Sequence, residues 1–138
     1  MIKPRLINGG IARDHRGSIT FNNDLDLTAV KRMYCVHNEN TDLRRGWQGH
    51  RIEQRWFTAI QGSFKVDLVH LDSFDVKMDY HSSFVLTGDI SQTLWIPAGY
   101  VSCIKANTLE NKLLIFADYK MGEIEDEYRF DLGHFNLF

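Results

Sequence analysis

The sequence is short of the features that would mark several protein classes. It has only two cysteines, Cys35 and Cys103, each inside an apolar stretch and neither with a second Cys or a His at ligand spacing, so neither a disulfide framework nor a thiolate metal site is legible. Both read as buried thiols of a reducing compartment. No stretch approaches the roughly 18 apolar residues of a membrane span, and the start, Met1-Ile2-Lys3-Pro4-Arg5-Leu6, lacks the apolar run of a signal peptide. The expectation is a cytoplasmic protein with no membrane partner. Excess charge is missing too. A formal net charge of -2 and a pI near 6.3 leave no basic field to collect phosphate backbones, so no nucleic-acid partner is expected, although Arg44, Arg45, Arg51 and Arg55 form a local cluster. Internal repeats and low-complexity segments are absent as well.

What is present is a length of 138 residues with 43% hydrophobic and 25% charged side chains, enough to bury a core without disulfides or a structural metal. One domain over residues 1–138 is expected. Short apolar/polar alternations at 18–21, 30–37, 55–61, 64–71, 83–87, 92–96, 101–106 and 112–117 predict strands. Turn signals separate them, among them Gly62-Ser63 and Pro97-Ala98-Gly99. The pattern is that of an all-β antiparallel sandwich or barrel. One short C-terminal helix is predicted within 122–129, where Glu123, Glu125, Asp126 and Glu127 suit an exposed helix. Residues 71–81 have no clean period and read as a loop across one end. The tail, 129–138, carries aromatics that should dock on the same subunit or a neighbour, with a homodimer the favoured reading.

Two segments stand out: Arg45-Gly46-Trp47-Gln48-Gly49-His50, with Gly62 twelve residues after the histidine, and Trp95-Ile96-Pro97-Ala98-Gly99-Tyr100. The first resembles the opening motif of the cupins, a glycine before an alternating His-x-His pair followed by a Glu and a turn glycine. The second resembles their closing Pro-x-Gly-x-x-His. The resemblance implies a double-stranded β-helix, the cupin jelly-roll sandwich. Metal-binding cupins use two histidines and a glutamate from the first motif and a histidine from the second. Here Gln48 stands for the first His, His50 keeps the second, Gln54 replaces the Glu and Ser102 replaces the closing His. One imidazole among neutral amides is a poor transition-metal site, so no metal and no cofactor are expected.

Among metal-free cupins the chain resembles the dTDP-4-dehydrorhamnose 3,5-epimerases and dTDP-4-keto-6-deoxyglucose 3,4-ketoisomerases. Asp14-His15-Arg16-Gly17 looks like their Asp-x-Arg-Gly entry, Lys31-Arg32-Met33-Tyr34 like the ketoisomerases' Lys-Arg-x-Tyr, and Arg45-Gly46-Trp47-Gln48 like Arg-Gly-x-His. Arg55 stands where the epimerases carry a Lys, and 117–129, with Tyr119, resembles their closing strand. The resemblance implies a cofactor-independent isomerase or epimerase of a nucleotide-linked 4-keto-6-deoxy sugar in surface-polysaccharide synthesis, assembled as a homodimer. A ketone acidifies the neighbouring C–H bonds, so such an enzyme needs a base near carbon, a cation or donor at the carbonyl oxygen, and an acid to return the proton.

In both groups the first histidine of the motif is the base, and Gln48 has no lone pair basic enough near neutral pH. His50 faces the same side of the strand by period-two alternation and is the candidate replacement, with Tyr34 and Tyr119 as further catalytic candidates. Arg45, Gln48, Arg55, Ser102, Trp47 and Tyr100 are the candidate substrate contacts, the two arginines for a diphosphate or ketone oxygen and the aromatics for stacking on a ring. Structural roles stay open for each: an ion pair of Arg45 with Asp42 or Glu53, core packing for the tyrosines and Trp47. Asp67 is read as orienting a barrel residue, and His15, His37, His70, His81 and His134 as solvated. A binding module that has lost the catalytic histidine is the alternative function.

Overall fold

Residues that alternate along the chain become strands whose two faces meet different surroundings. In the computed structural model, which describes residues 2–72 and 80–138, Phe64, Val66 and Leu68 of β7 (Ser63–His70) all point into one fully buried core. Two five-stranded antiparallel sheets enclose that core. One runs in the order β1 (Arg5–Asn8), β9 (Gln92–Ile96), β6 (Arg55–Gln61), β11 (Lys112–Ala117), β4 (Arg32–Val36). The other runs β12 (Tyr128–Arg129), β5 (Arg44–His50), β10 (Tyr100–Ala106), β7, β8 (His81–Thr87). A separate hairpin is made by β2 (Gly10–Asp14) and β3 (Gly17–Phe21). This is the jelly-roll sandwich of the cupins, nearly all β.

Phe57 and Ala59 of β6, Leu94 and Ile96 of β9, and Leu113 and Ile115 of β11 meet Phe64, Val66, Leu68, Leu86 and Ile104 across the sandwich. Of the two faces of β6, the one that carries Arg55, Phe57 and Ala59 is therefore the inner one. On its outer face Thr58 Oγ1 bonds Thr93 Oγ1 at 2.6 Å, and Ile60 is exposed. Glycine sets the spacing at two points. Gly62 turns β6 into β7 with φ of 74°, a left-handed conformation that costs glycine little. A Cβ on Gly49 would lie 2.0 Å from the Tyr100 carbonyl oxygen, so only glycine lets β5 press this closely on β10.

A second apolar cluster lies on the outer face of the second sheet, where Trp47, Val69, Val101 and Cys103 are covered by Phe135 with Phe130 and Leu137 around it. The tail thus docks on its own subunit. Trp47 and Phe130 exchange backbone hydrogen bonds of 3.1 and 3.0 Å, and the indole meets the Phe135 ring edge-on at 5.1 Å and the Phe138 ring face-on at 5.5 Å. Burying an aromatic side chain of this size stabilises by roughly 3 kcal/mol.

Several expectations are corrected here. No helix forms over 122–129. The segment turns at 121–124 and then extends into β12, because Asp126 spends its carboxylate on the backbone N–H groups of Arg51, Ile52 and Glu53 at 2.8–2.9 Å. Cys35 is exposed, whereas Cys103 is buried and its thiol is pushed up to about 11 by that burial. His81 is not solvated alone: its Nε2 lies 3.0 Å from Asp67 Oδ1, and Asp67 is 1% exposed on the outer face of β7. His70 meets the Tyr100 ring edge-on at 4.9 Å. Most of the segment read as a loop at 71–81 lies outside the described residues. Among those described, no helix is long and apolar enough to cross a membrane.

Candidate active site

β5 carries the site, and a bulge decides which of its residues do so. Strict alternation would put Gly46, Gln48 and His50 on one face and Arg45 on the other. The register pairs Gln48 with Ser102 but Arg45 with Ile104, so Gly46 and Trp47 together face the single residue Cys103. Ile104 belongs to the inner core, and Arg45 therefore shares the inner side with Gln48 and His50. Its Nε donates to Asn38 Oδ1 at 2.6 Å and its Nη2 to the His37 carbonyl at 3.0 Å. Neither Asp42 nor Glu53 is its partner.

The inner side opens into two adjoining cavities of about 730 and 740 Å³, whose walls share Tyr34, Gln48, His50, Arg55 and Arg129. The first also takes in Arg45, Tyr100 and Ser102. The second takes in Arg32, Glu53, Asp126 and Glu127. Of the sequence candidates, Tyr34, Arg45, Gln48, His50, Arg55, Tyr100 and Ser102 thus converge.

Arg55 is the hub of this wall. Its guanidinium donates to Glu53 Oε2 through Nε at 2.7 Å and Nη2 at 2.5 Å, while Nη1 donates to the Tyr34 hydroxyl. The same Nη2 lies 3.0 Å from His50 Nε2, which is also 3.2 Å from Glu53 Oε2. Burial, with the Arg55 charge beside it, pushes the His50 imidazole down to about 4, so the ring is neutral at physiological pH and Nε2 accepts from Arg55. Burial likewise raises the Tyr34 hydroxyl above the usual phenol value, against the opposing pull of Arg55 and Arg32. The Arg32 guanidinium covers the Tyr34 ring at 4.7 Å.

The remaining candidates fall differently. Trp47 borders the first cavity, but its indole is 1% exposed in the outer cluster, with Nε1 donating to the Leu132 carbonyl at 3.2 Å. It is a packing residue, not a stacking platform, because alternation from the inward Gln48 leaves it on the outer side. Tyr100 lines the first cavity with its ring only, since its hydroxyl donates to the Ile2 carbonyl at 2.9 Å. Tyr119 lines neither cavity. It falls two residues past the end of β11, where Lys31 Nζ sits over its ring at 5.6 Å. Gln54 is tied to Asp118 through its backbone N–H at 2.8 Å and its side-chain amide at 3.1 Å, and accepts from Trp95 Nε1 at 2.9 Å. Among the described residues no group of three or more His, Cys, Asp or Glu is placed to hold a metal ion.

Sequence reasoning placed in the site neither Glu53, 6% exposed and the counter-charge of Arg55 rather than of Arg45, nor Asp126. Burial pushes the Asp126 carboxyl up, but the backbone N–H groups of Glu53, Arg51 and Ile52 outweigh it and hold the group below the usual carboxylate value. The signal available in the sequence was the i, i+3 spacing of His50 and Glu53 across a turn, which brings two side chains to one side.

A jelly roll whose inner wall gathers arginines, carboxylates and a tyrosine around two cavities defines a cupin with a charged pocket. The match to the family model described as FdtA, WxcM-like, C-terminal, runs over residues 3–137, and the chain belongs to that family. The fold is similar to that of a mutant of the 3,4-ketoisomerase QdtA from Thermoanaerobacterium thermosaccharolyticum, solved with TDP-4-keto-6-deoxyglucose, with 23% identity, a TM-score of 0.75, and 94% of this chain and 88% of that one covered. It is also similar to the dTDP-4-dehydrorhamnose 3,5-epimerase of Bacillus anthracis, solved with TDP and PPi, with 14% identity, a TM-score of 0.76, and 94% and 79% covered. A 3,4-ketoisomerase from Helicobacter canadensis matches with 20% identity, a TM-score of 0.70, and 89% and 90% covered. No curated protein sequence matches the chain.

Proposed function

We propose that the protein is a cofactor-independent isomerase or epimerase of a nucleotide-linked 4-keto-6-deoxy sugar, most simply a dTDP sugar, acting by proton transfer next to the ketone. The observation that carries this reading is the convergence of Tyr34, His50, Arg55 and Glu53 where the two cavities meet, with Arg45 on the same side. A neutral imidazole and a phenol can take and return protons, and two guanidiniums can hold a diphosphate and the oxygen that gains charge as an enolate forms. The TDP-4-keto-6-deoxyglucose bound by one similar fold and the TDP bound by another support it. Surface-polysaccharide synthesis in the cytoplasm is the setting we infer. A homodimer is the inferred assembly, supported by the β2–β3 hairpin, which presents Ile19 at 66% exposure.

Gln48 in the place of the family's first histidine favours one competing reading, a nucleotide-sugar-binding cupin without turnover. Incubation with dTDP-4-keto-6-deoxyglucose in deuterated water, followed by NMR, separates the two. Deuterium at C3 or C5 is the expected result. Binding without deuterium uptake selects the binding module, and the absence of both overturns the two readings together.

A further inference from the structure

The side chain at position 48 does not sit idle. Gln48 Nε2 donates to Glu127 Oε1 at 2.5 Å, across the β5–β12 register that sets Arg129 opposite Gln48 and Tyr128 opposite Gly49. Arg129 grips the same Oε1 through Nε at 2.9 Å and Nη2 at 2.6 Å. Glu127 Oε2 accepts no hydrogen bond from the described residues, and the carboxylate lines the second cavity together with Tyr34, His50 and Arg55. One oxygen is thus fixed by an amide and a guanidinium, while the other is free beside the wall where the ketone is expected.

His50 is placed otherwise. Its Nε2 is wedged between the Arg55 donor and the Glu53 carboxylate, which leaves that nitrogen engaged before any ligand arrives. A ring nitrogen whose one lone pair already accepts from a guanidinium is a poor candidate to pull a proton from carbon, whereas the Glu127 carboxylate keeps a second oxygen without such a partner among the described residues.

We propose that Glu127, held by Gln48, is the base that takes the proton from the carbon next to the ketone, and so replaces the imidazole that Gln48 displaced. The inference rests on the isomerase reading above. In the step, the Glu127 carboxylate removes the C3 proton. The C–H electron pair becomes the C3–C4 double bond, and the carbonyl π pair moves onto O4, which Arg45 or Arg55 holds as an enolate. Once the O3 hydroxyl proton has passed to O4, the new Glu127 carboxylic acid gives its proton to C4 and the C3–O3 bond becomes the carbonyl, whereas return of the proton to C3 from the same side only regenerates the substrate. Nothing is oxidised overall. Tyr34, whose hydroxyl keeps its own proton while accepting from Arg55, is left to carry the remaining proton between the two oxygens. A carboxylate suffices as base because the enolate is stabilised electrostatically.

The test is Glu127→Gln, which keeps an oxygen acceptor for Gln48 and Arg129 while removing the basicity and the negative charge. Wild type and variant are assayed for deuterium uptake into dTDP-4-keto-6-deoxyglucose and for binding of dTDP by calorimetry. A loss of exchange on the order of 100-fold or more, with dTDP affinity within a few fold, is expected. In the Glu127→Gln background, Gln48→His should restore part of the exchange by returning an imidazole to the inner side of β5, which a merely structural loss would not permit. Exchange in Glu127→Gln at the wild-type rate overturns the assignment and leaves the isomerase reading standing. A wild type that binds dTDP but never exchanges overturns both.

Discussion

Arg45 stands opposite Ile104 on β10, one residue out of step with the register that sets Gln48 opposite Ser102. That offset turns its guanidinium into the cavity side of β5. Arg45→Ala should weaken nucleotide-sugar binding and turnover together, each by about 10-fold to 100-fold, because a charged donor used in the ground state is lost from both. Arg45→Lys should recover little, since an ammonium cannot reproduce the fork that reaches Asn38 and the His37 carbonyl while facing a ligand. Titration calorimetry with dTDP alongside steady-state kinetics decides it, and unchanged affinity in the alanine variant would remove Arg45 from the site.

The depressed imidazole of His50 makes stability depend on pH in a definite direction. Unfolded, the ring takes a proton near its ordinary value of 6.5, whereas folded it does so only near 4. Between those values the unfolded chain binds more protons, so stability is fully present above about pH 6.5 and falls as pH drops toward 4, by about 2–3 kcal/mol from this group. His50→Gln should flatten that part of the profile. Urea unfolding at pH 7.5, 5.5 and 4.5 on both proteins provides the measurement, and parallel profiles would show that His50 is not the group responsible.

Asp126 holds the turn between β5 and β6 by accepting three backbone N–H groups. Asp126→Ala leaves those donors without an acceptor and should cost about 3 kcal/mol, with Asp126→Asn costing less because one carbonyl oxygen remains. Glu53 is one of the three, so the variant should also loosen the Arg55 pair and slow any proton exchange in the sugar. Denaturation midpoints and deuterium uptake, measured on the same preparations, should fall together.

The strands with clean alternation were legible in the sequence: β6, β9, β10 and β11 lie where the pattern puts them, since one face of each meets the inner core. β5 was visible only as a motif, because its glycines and charges hide the period and its bulge breaks it. Arg45 was picked for its chemistry while its face followed from pairing that no local pattern records. β12 was misread as helix for a similar reason. Its acidic run suits a helix N-terminus, but Asp126 finds its N–H partners at Arg51, Ile52 and Glu53, far away in sequence. Glu53 and Glu127 read in the sequence only as a surface ion-pair partner of Arg45 and as part of an exposed acidic run, because a carboxylate in a charged stretch looks like solvated surface until its partner is known. Trp47 and Tyr119 show the opposite error, residues chosen by motif position whose side chains plain alternation beside Gln48 and the strand end carry away from the cavities.

The Trp47 indole is packed in the outer aromatic cluster of the strand whose inner side bears Gln48 and His50. Its environment gives β5 an optical label on its reverse side. An indole so enclosed emits at short wavelength and resists quenching by iodide, and it would shift red if the tail lifted. Trp56 and Trp95 belong to the other sheet, so replacing both with phenylalanine would leave a fluorophore that senses, from behind, any movement of the strand when a ligand settles in front.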